Sequence, residues 1–250
     1  MSCKSCGTEE TIRAHLIPKT IATEVNEGQA HAAGVVDGET FEHSQSGFWD
    51  PDILCARCDN KIGYWEEYAS NVLERIREKA AHKPLGKHRI SADGNKLIRC
   101  FLAVLWKYSV ADERFGGGLS LGPYQDICYR IAFKEKEIPE RIDAFIFRLK
   151  VSENDDGVFA YRAPLPDSVP DPETGDSINL QRMMMGGCLI FVRLDRRRLN
   201  DNRIEECLIR DKKEFEFIIR PAQFFEEYRE LSQSASGDTP LSNFLDQRGQ

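Results

Sequence analysis

Four of the chain's eight cysteines are paired, Cys3 with Cys6 and Cys55 with Cys58, each as Cys-x-x-Cys, whereas Cys100, Cys128, Cys188 and Cys207 are scattered singly. A Cys-x-x-Cys turn lets two thiolates face one point, so two such turns brought together supply the tetrahedral sulfur cage that zinc prefers. A redox dithiol is the competing reading, and it fits poorly because neither pair sits in a βαβ setting. The single cysteines lie in apolar or mixed surroundings and read as small core hydrophobes. Between the two pairs runs Thr11-Ile-Arg-Ala-His15-Leu-Ile-Pro18-Lys19, and directly after the second comes Asp59-Asn60-Lys61-Ile62-Gly63. A metal cage joining a short hairpin to the first turn of a helix would bring His15, at a strand end, close to Asp59 and Asn60. An imidazole and a carboxylate placed together there could move protons or hold a cation.

The order Cys3-x-x-Cys6-Gly7, Ala14-His15-Leu16-Ile17-Pro18-Lys19, Leu54-Cys55-x-x-Cys58-Asp59-Asn60-Lys61-x-Gly63 resembles the zinc-stabilised HNH endonucleases, whose ββα-metal motif sits on a treble-clef zinc site. The resemblance covers roughly the first quarter of the chain. It implies that the cysteines only hold the fold and that His15 acts as general base on water. Asp59, with Asn60 beside it, would stand in the place of the family's asparagine or metal ligand, and Mg²⁺ or Mn²⁺ would sit against the scissile phosphate. The residue before the base histidine often supplies a ligand in that family; here it is Ala14, which has no donor atom. His43 would replace that ligand, and one of Glu66 and Glu67, with Glu67 preferred, would complete the set from the helix. The implied reaction is metal-assisted phosphodiester hydrolysis, on DNA before RNA, in a bacterial defence or mobile-element effector that a regulatory partner could hold inactive. A zinc treble clef that has lost catalysis and only binds nucleic acid or a protein is the alternative.

The elements that must position these groups are legible in part. Ile62, Trp65, Ala69, Val72, Leu73, Ile76 and Ala80 recur at helical spacing, which prolongs the helix after the second cysteine pair. Pro84 and Gly86 stop it inside a basic connector over 83–92. Asp93 is a plausible N-cap for a second, nearly all-apolar helix through Trp106, and Pro123 opens a third carrying Tyr124, Ile127, Cys128 and Ile131. The three glycines after Phe115 read as a helix connector, because no phosphate-loop terminus accompanies them. Beyond Pro139 the period turns extended, with strands expected at 145–151, 158–162, 188–194 and 215–219. Pro164, Pro166, Pro170 and Pro172 predict a stiff acidic surface loop excluded from a sheet interior. Met183 to Met185 read as a partly buried strand entry, and Phe224, Phe225, Tyr228 and Leu231 fall at helical spacing. The fold class expected is α+β: an N-terminal zinc-bound treble-clef/ββα-metal module, a helical segment, then a small, mainly antiparallel sheet. The expected divisions are 1–82, 93–231 and a flexible tail over 232–250.

Composition narrows the function. The 250 residues can bury a proper core, and 41 acidic against 34 basic residues give a net charge of −7. An acidic chain argues against broad coating of DNA, so contact with nucleic acid would rest on local cations. Those are Lys19, Lys61, the basic connector and the run Arg196, Arg197 and Arg198, preceded by Arg193. His31, His82 and His88 lie in loop-like stretches and are not expected as ligands. The apolar runs are too short for a membrane span and no signal core follows Met1, so a reducing cytoplasmic setting is expected.

Overall fold

A computed structural model describes residues 2–25, 31–34, 41–44, 46–115, 118–155, 157–158, 160–171, 174–197, 199 and 202–230. The expected tail over 232–250 and Arg198 lie outside these residues, as does the side chain of His43. The architecture is mixed α+β.

The chain opens with the Cys3 to Gly7 turn, in which Gly7 takes φ +79° and its N–H returns to the Cys3 carbonyl at 2.8 Å. Strand β1 (Ile12–His15) pairs antiparallel with β4 (Trp49–Leu54), His15 lying opposite Trp49 and Ala14 opposite Asp50. The excursion between them carries the short helix α1 (Lys19–Thr23) and the separate pair β2 (His31–Gly34) and β3 (Phe41–Ser44). Helix α2 (Ala56–Ala81) follows β4 with Cys55 at its N-cap position.

Beyond α2, β5 (Gly86–Ser91) occupies the basic connector and runs as an edge strand of a six-stranded sheet. Asp93 caps α3 (Gly94–Val110) as expected, its carboxylate accepting from the Asn95 and Lys96 amides. Helix α4 (Tyr124–Lys134) packs on α3. The remaining strands are β6 (Ile142–Lys150), β7 (Arg162–Pro170), β8 (Ser177–Met185), β9 (Cys188–Leu194) and β10 (Glu214–Pro221), with the four-residue α5 (Asn202–Glu205) before the last. The sheet order is β5-β10-β6-β9-β8-β7; β10 with β6 is parallel and the other pairs are antiparallel.

The proline-rich stretch is a strand rather than the expected loop. Pro164, Pro166 and Pro170 lie in β7, an edge strand whose pairing with β8 is broken by a register shift between Arg162 and Leu165. An edge strand can do without half its amide donors, which is why proline is admitted there. Of the segment expected as a strand at 158–162, the described residues 158, 160 and 161 lie outside any strand, and β7 begins at Arg162. Gly186 and Gly187, at φ +56° and +67°, make the two-residue turn between β8 and β9, the doubly positive conformation that matches sheet twist.

Alternation sorts the sheet's two faces. Ile142, Ala144 and Ile146 of β6 with Cys188, Ile190 and Val192 of β9 face the helices, in one buried cluster that runs on to Cys3, Leu16, Ile53 and Leu73. Phe145, Leu149, Leu189 and Phe191 face the other way, under Leu199, Cys207 and Ala222. The polar members of β6 are buried too. Arg148 donates to the Gly187 and Asp155 carbonyls, and Lys150 reaches the terminal carbonyls of α2 at Ala80 and Ala81.

Candidate functional site

The four paired cysteines converge, their Sγ atoms all lying within 4.8 Å of one another and Cys6 standing 3.7 Å from Cys55. Local structure explains the approach. The Lys4 amide donates to the Ile53 carbonyl at 2.9 Å, tying the first turn to β4, while Cys55 and Cys58 belong to the first turn of α2, where the helix dipole favours thiolates. Burial pushes the Cys58 thiol up to about 12, and the Thr8 backbone hydrogen bond brings Cys6 down to about 6. The group could hold a metal ion. The four single cysteines are all buried and none joins this cluster.

Next to the cage, β1 ends at His15, which is half-buried. Its Nε2 lies 3.1 Å from the Ser46 hydroxyl, and its carbonyl accepts from Lys107 Nζ at 2.5 Å. Lys107 comes from the last full turn of α3, is fully buried, and makes a second bond to Glu66 Oε1 at 2.7 Å. Burial first, then the charges of Lys107 and Lys19, lower the pKa of His15, which favours the neutral ring.

Asp59 and Glu66 share one face of α2, because seven residues advance the helix by about 700°, some 20° short of two full turns. Between them a Cβ added at Gly63 would meet nothing within 4 Å, so this face is open. Burial raises the Asp59 pKa, Lys107 opposes that rise and Glu66 reinforces it, so the two carboxylates and the ammonium form one electrostatic group with His15. Helix α1 closes the flank, the Thr20 and Ser70 hydroxyls lying 2.7 Å apart and Ser70 donating to the Glu66 carbonyl.

His15 and Asp59 each feel the charges of Lys107 and Glu66, and the exposed Lys19 adds its own charge at His15. Asn60, Lys61 and Glu67 are exposed, and each points about 80° or more away from the Asp59–Glu66 face. Of the two glutamates considered in the sequence, Glu66 is the one that shares the Asp59 face, and it is paired with Lys107. Strand β3 pairs His43 with Ala32 along the backbone, which leaves its expected ligand role open. Of the arginine run, Arg197 is engaged by Asp195, Nε and Nη2 at 3.0 and 2.8 Å, and Arg196 is exposed in the turn after β9.

Sequence reasoning missed Lys107, Ser46 and Asp50. Lys107 had a signal, a lone cation in the otherwise apolar Phe101 to Tyr108 run. Asp50 is 3% exposed and accepts from the Asp52 and Asp112 amides, pinning β4 to the end of α3. Among the described residues no helix is long and apolar enough to cross a membrane. No protein-family model, curated protein or solved structure matches the chain.

Proposed function

We propose that the protein is a metal-dependent, HNH-like endonuclease that hydrolyses phosphodiester bonds in nucleic acid, with a structural zinc ion on Cys3, Cys6, Cys55 and Cys58. The observation that carries this reading is the placement of His15 at the end of a hairpin strand, under the same Lys107 and Glu66 charges that act on Asp59 in the helix that the cysteine cage begins. Zinc suits the cage, since Zn–S bonds of ~2.3 Å in a tetrahedron give S···S edges of about 3.8 Å, close to the 3.7 Å between Cys6 and Cys55.

A catalytic Mg²⁺ or Mn²⁺ would fit a sparser donor set. The cysteine cluster is the only group of three or more potential ligand side chains that converges among the described residues. Magnesium is commonly held by one or two carboxylates, with waters and substrate phosphates completing the shell. Asp59 supplies such a carboxylate; Glu66 is committed to Lys107. Bound there, the cation would neutralise charge developing on the phosphate and on the leaving oxygen.

The chain's own groups do the rest. His15 would take a proton from the attacking water at Nδ1, the ring nitrogen across from the Nε2 that Ser46 contacts, and return to neutrality by releasing it to solvent. Lys107 fixes the strand end by its bond to the His15 carbonyl, so the imidazole is carried on a braced backbone. Lys19 offers an exposed ammonium to a neighbouring phosphate.

A second reading, a treble-clef module that binds nucleic acid or a protein without cutting, is favoured by two observations. Ala14 has no donor atom, and Lys107 occupies Glu66. Incubating wild type and His15→Ala with plasmid, single-stranded DNA and RNA, with Mg²⁺, Mn²⁺ or chelator, separates the two. Metal-dependent cutting lost in His15→Ala supports the nuclease; equal cutting by both refutes the role of His15. Absence of cutting together with no Mn²⁺ heat beyond the cage supports the binding module. A role as a defence or mobile-element effector under a regulatory partner belongs to the same proposal.

A further inference from the structure

Two cavities of about 370 and 330 Å³ abut on the surface where α4, β6 and the turn after β9 meet, sharing Pro139 and Arg141. The first is also lined by Arg193 and Arg196, and the second continues to Lys136. Their sizes fall at the lower end of the ~300–1,000 Å³ typical of small-molecule sites. The three guanidiniums come from separate places in the chain. Arg141 precedes β6, Arg193 lies opposite Asp143 on β9, and Arg196 sits in the turn beyond it.

They nevertheless converge on one phenol. Burial raises the Tyr124 pKa and Asp195 adds to it, while Arg141, Arg196 and Arg193 all oppose the rise. Arg141 stands 5.9 Å from the centre of the Tyr124 ring, and its Nε is buried with no hydrogen-bond partner among the described residues. Arg193, only 4% exposed, is held in place by the Glu140 and Arg197 carbonyls at 2.6 and 3.3 Å. The nearby Asp195 carboxylate is paired with Arg197. Despite its burial, bonds from Arg197 and Asn179 hold it well below the usual carboxylate range and occupy both its oxygens. Glu140 remains the one acidic residue lining the first cavity.

We propose that this cavity is a binding site for a phosphate-bearing ligand, its oxygens received by the guanidiniums of Arg141, Arg193 and Arg196. Three guanidiniums lining one cavity match a tetrahedral group with several terminal oxygens, and guanidinium is the side chain suited to bidentate contact with it. The second cavity, where Arg130 and Lys136 outnumber Glu137, leaves room for a second phosphate, either on the same small molecule or along a nucleic-acid strand. The site shares no residue with the His15 group, so it does not rest on the nuclease reading.

The test is calorimetric titration of the full chain with pyrophosphate and, separately, with a short oligonucleotide bearing 5′-hydroxyl ends. Arg196→Ala and Arg141→Lys are compared with wild type, after circular dichroism has confirmed their folds, and His15→Ala serves as control. Binding of either ligand, weakened roughly tenfold or more in Arg196→Ala and reduced in Arg141→Lys but unchanged in His15→Ala, supports the site. Pyrophosphate alone would identify a free phosphorylated ligand, and the oligonucleotide alone a strand. No heat with either ligand up to about 1 mM, or equal affinity in wild type and both arginine variants, overturns it.

Discussion

His15 and Lys107 make the site's chemistry a matter of one neutral ring and one buried cation. Because burial, Lys107 and Lys19 lower the His15 pKa, the unfolded chain binds that proton more readily than the folded one. The stability associated with neutral His15 is therefore complete above pH ~6.5 and is lost as the pH falls through the folded value. If His15 is the base, cleavage should hold its rate below pH 6.5 on the acid side. A pH–rate profile whose acid midpoint lies above 6.5 would count against that role. Removing the cation should be more costly than removing the base. Lys107→Met strips Glu66 and the His15 carbonyl of their shared donor, and should destabilise the fold by about 3 kcal/mol in urea titration. Combining it with Glu66→Gln should recover part of that loss, since the uncompensated carboxylate disappears. A fully additive double mutant would show that the pair is not coupled.

At the scale of elements, the helices were the most legible feature. The stripe from Ile62 to Ala80 and the Asp93 cap mark α2 and α3 because burial on one face and an N-terminal hydrogen-bond acceptor are local properties. Strand β5 hid inside the connector, since its outward Lys87 and Arg89 disguise an edge strand paired with β10. Arg148 and Lys150 show the reverse: charged positions alternating along β6, both are buried against carbonyls. The site followed the same division. His15 and Asp59 are marked by their spacing from the cysteines, whereas Lys107, marked only as a lone cation in an apolar run, reaches the site from α3 by tertiary packing. Choosing Glu66 over Glu67 needed the helix phase.

The junction of α3 with the segment before β10 offers two tests of packing at this scale. A Cβ at Gly94 would lie 1.8 Å from the Ile209 carbonyl oxygen, so Gly94→Ala should cost roughly 3 kcal/mol or prevent folding. Asp93→Ala, which removes only the cap bonds and the Lys213 pair, should cost about 1 kcal/mol. Similar losses for the two variants would show that the close approach is not rigid.

Across the whole molecule, one buried cluster joins the cysteine turns to the six-stranded sheet, and Tyr129 on α4 donates to the Ser5 carbonyl inside the first turn. Loss of the cage should therefore be felt throughout. Chelation, or Cys55→Ser, should lower the unfolding temperature by about 10 °C or more, within a single calorimetric transition, given that metal–thiolate binding is folding free energy. Two separate transitions would mean that the N-terminal part melts alone.

Helix α2 serves two neighbours at once. Its first turns present Cys58, Asp59 and Glu66, while Leu73, Ile76 and Ala80 join the central core and Lys150 closes its far end. The two halves are thus locked in phase. One residue inserted near Asn71 would turn the front half by about 100° against the back, aiming Asp59 away from His15 with every side chain still present. An insertion of seven would nearly restore the angle but displace the cage by about 10 Å. Sequence in either half can drift; the number of residues between them cannot.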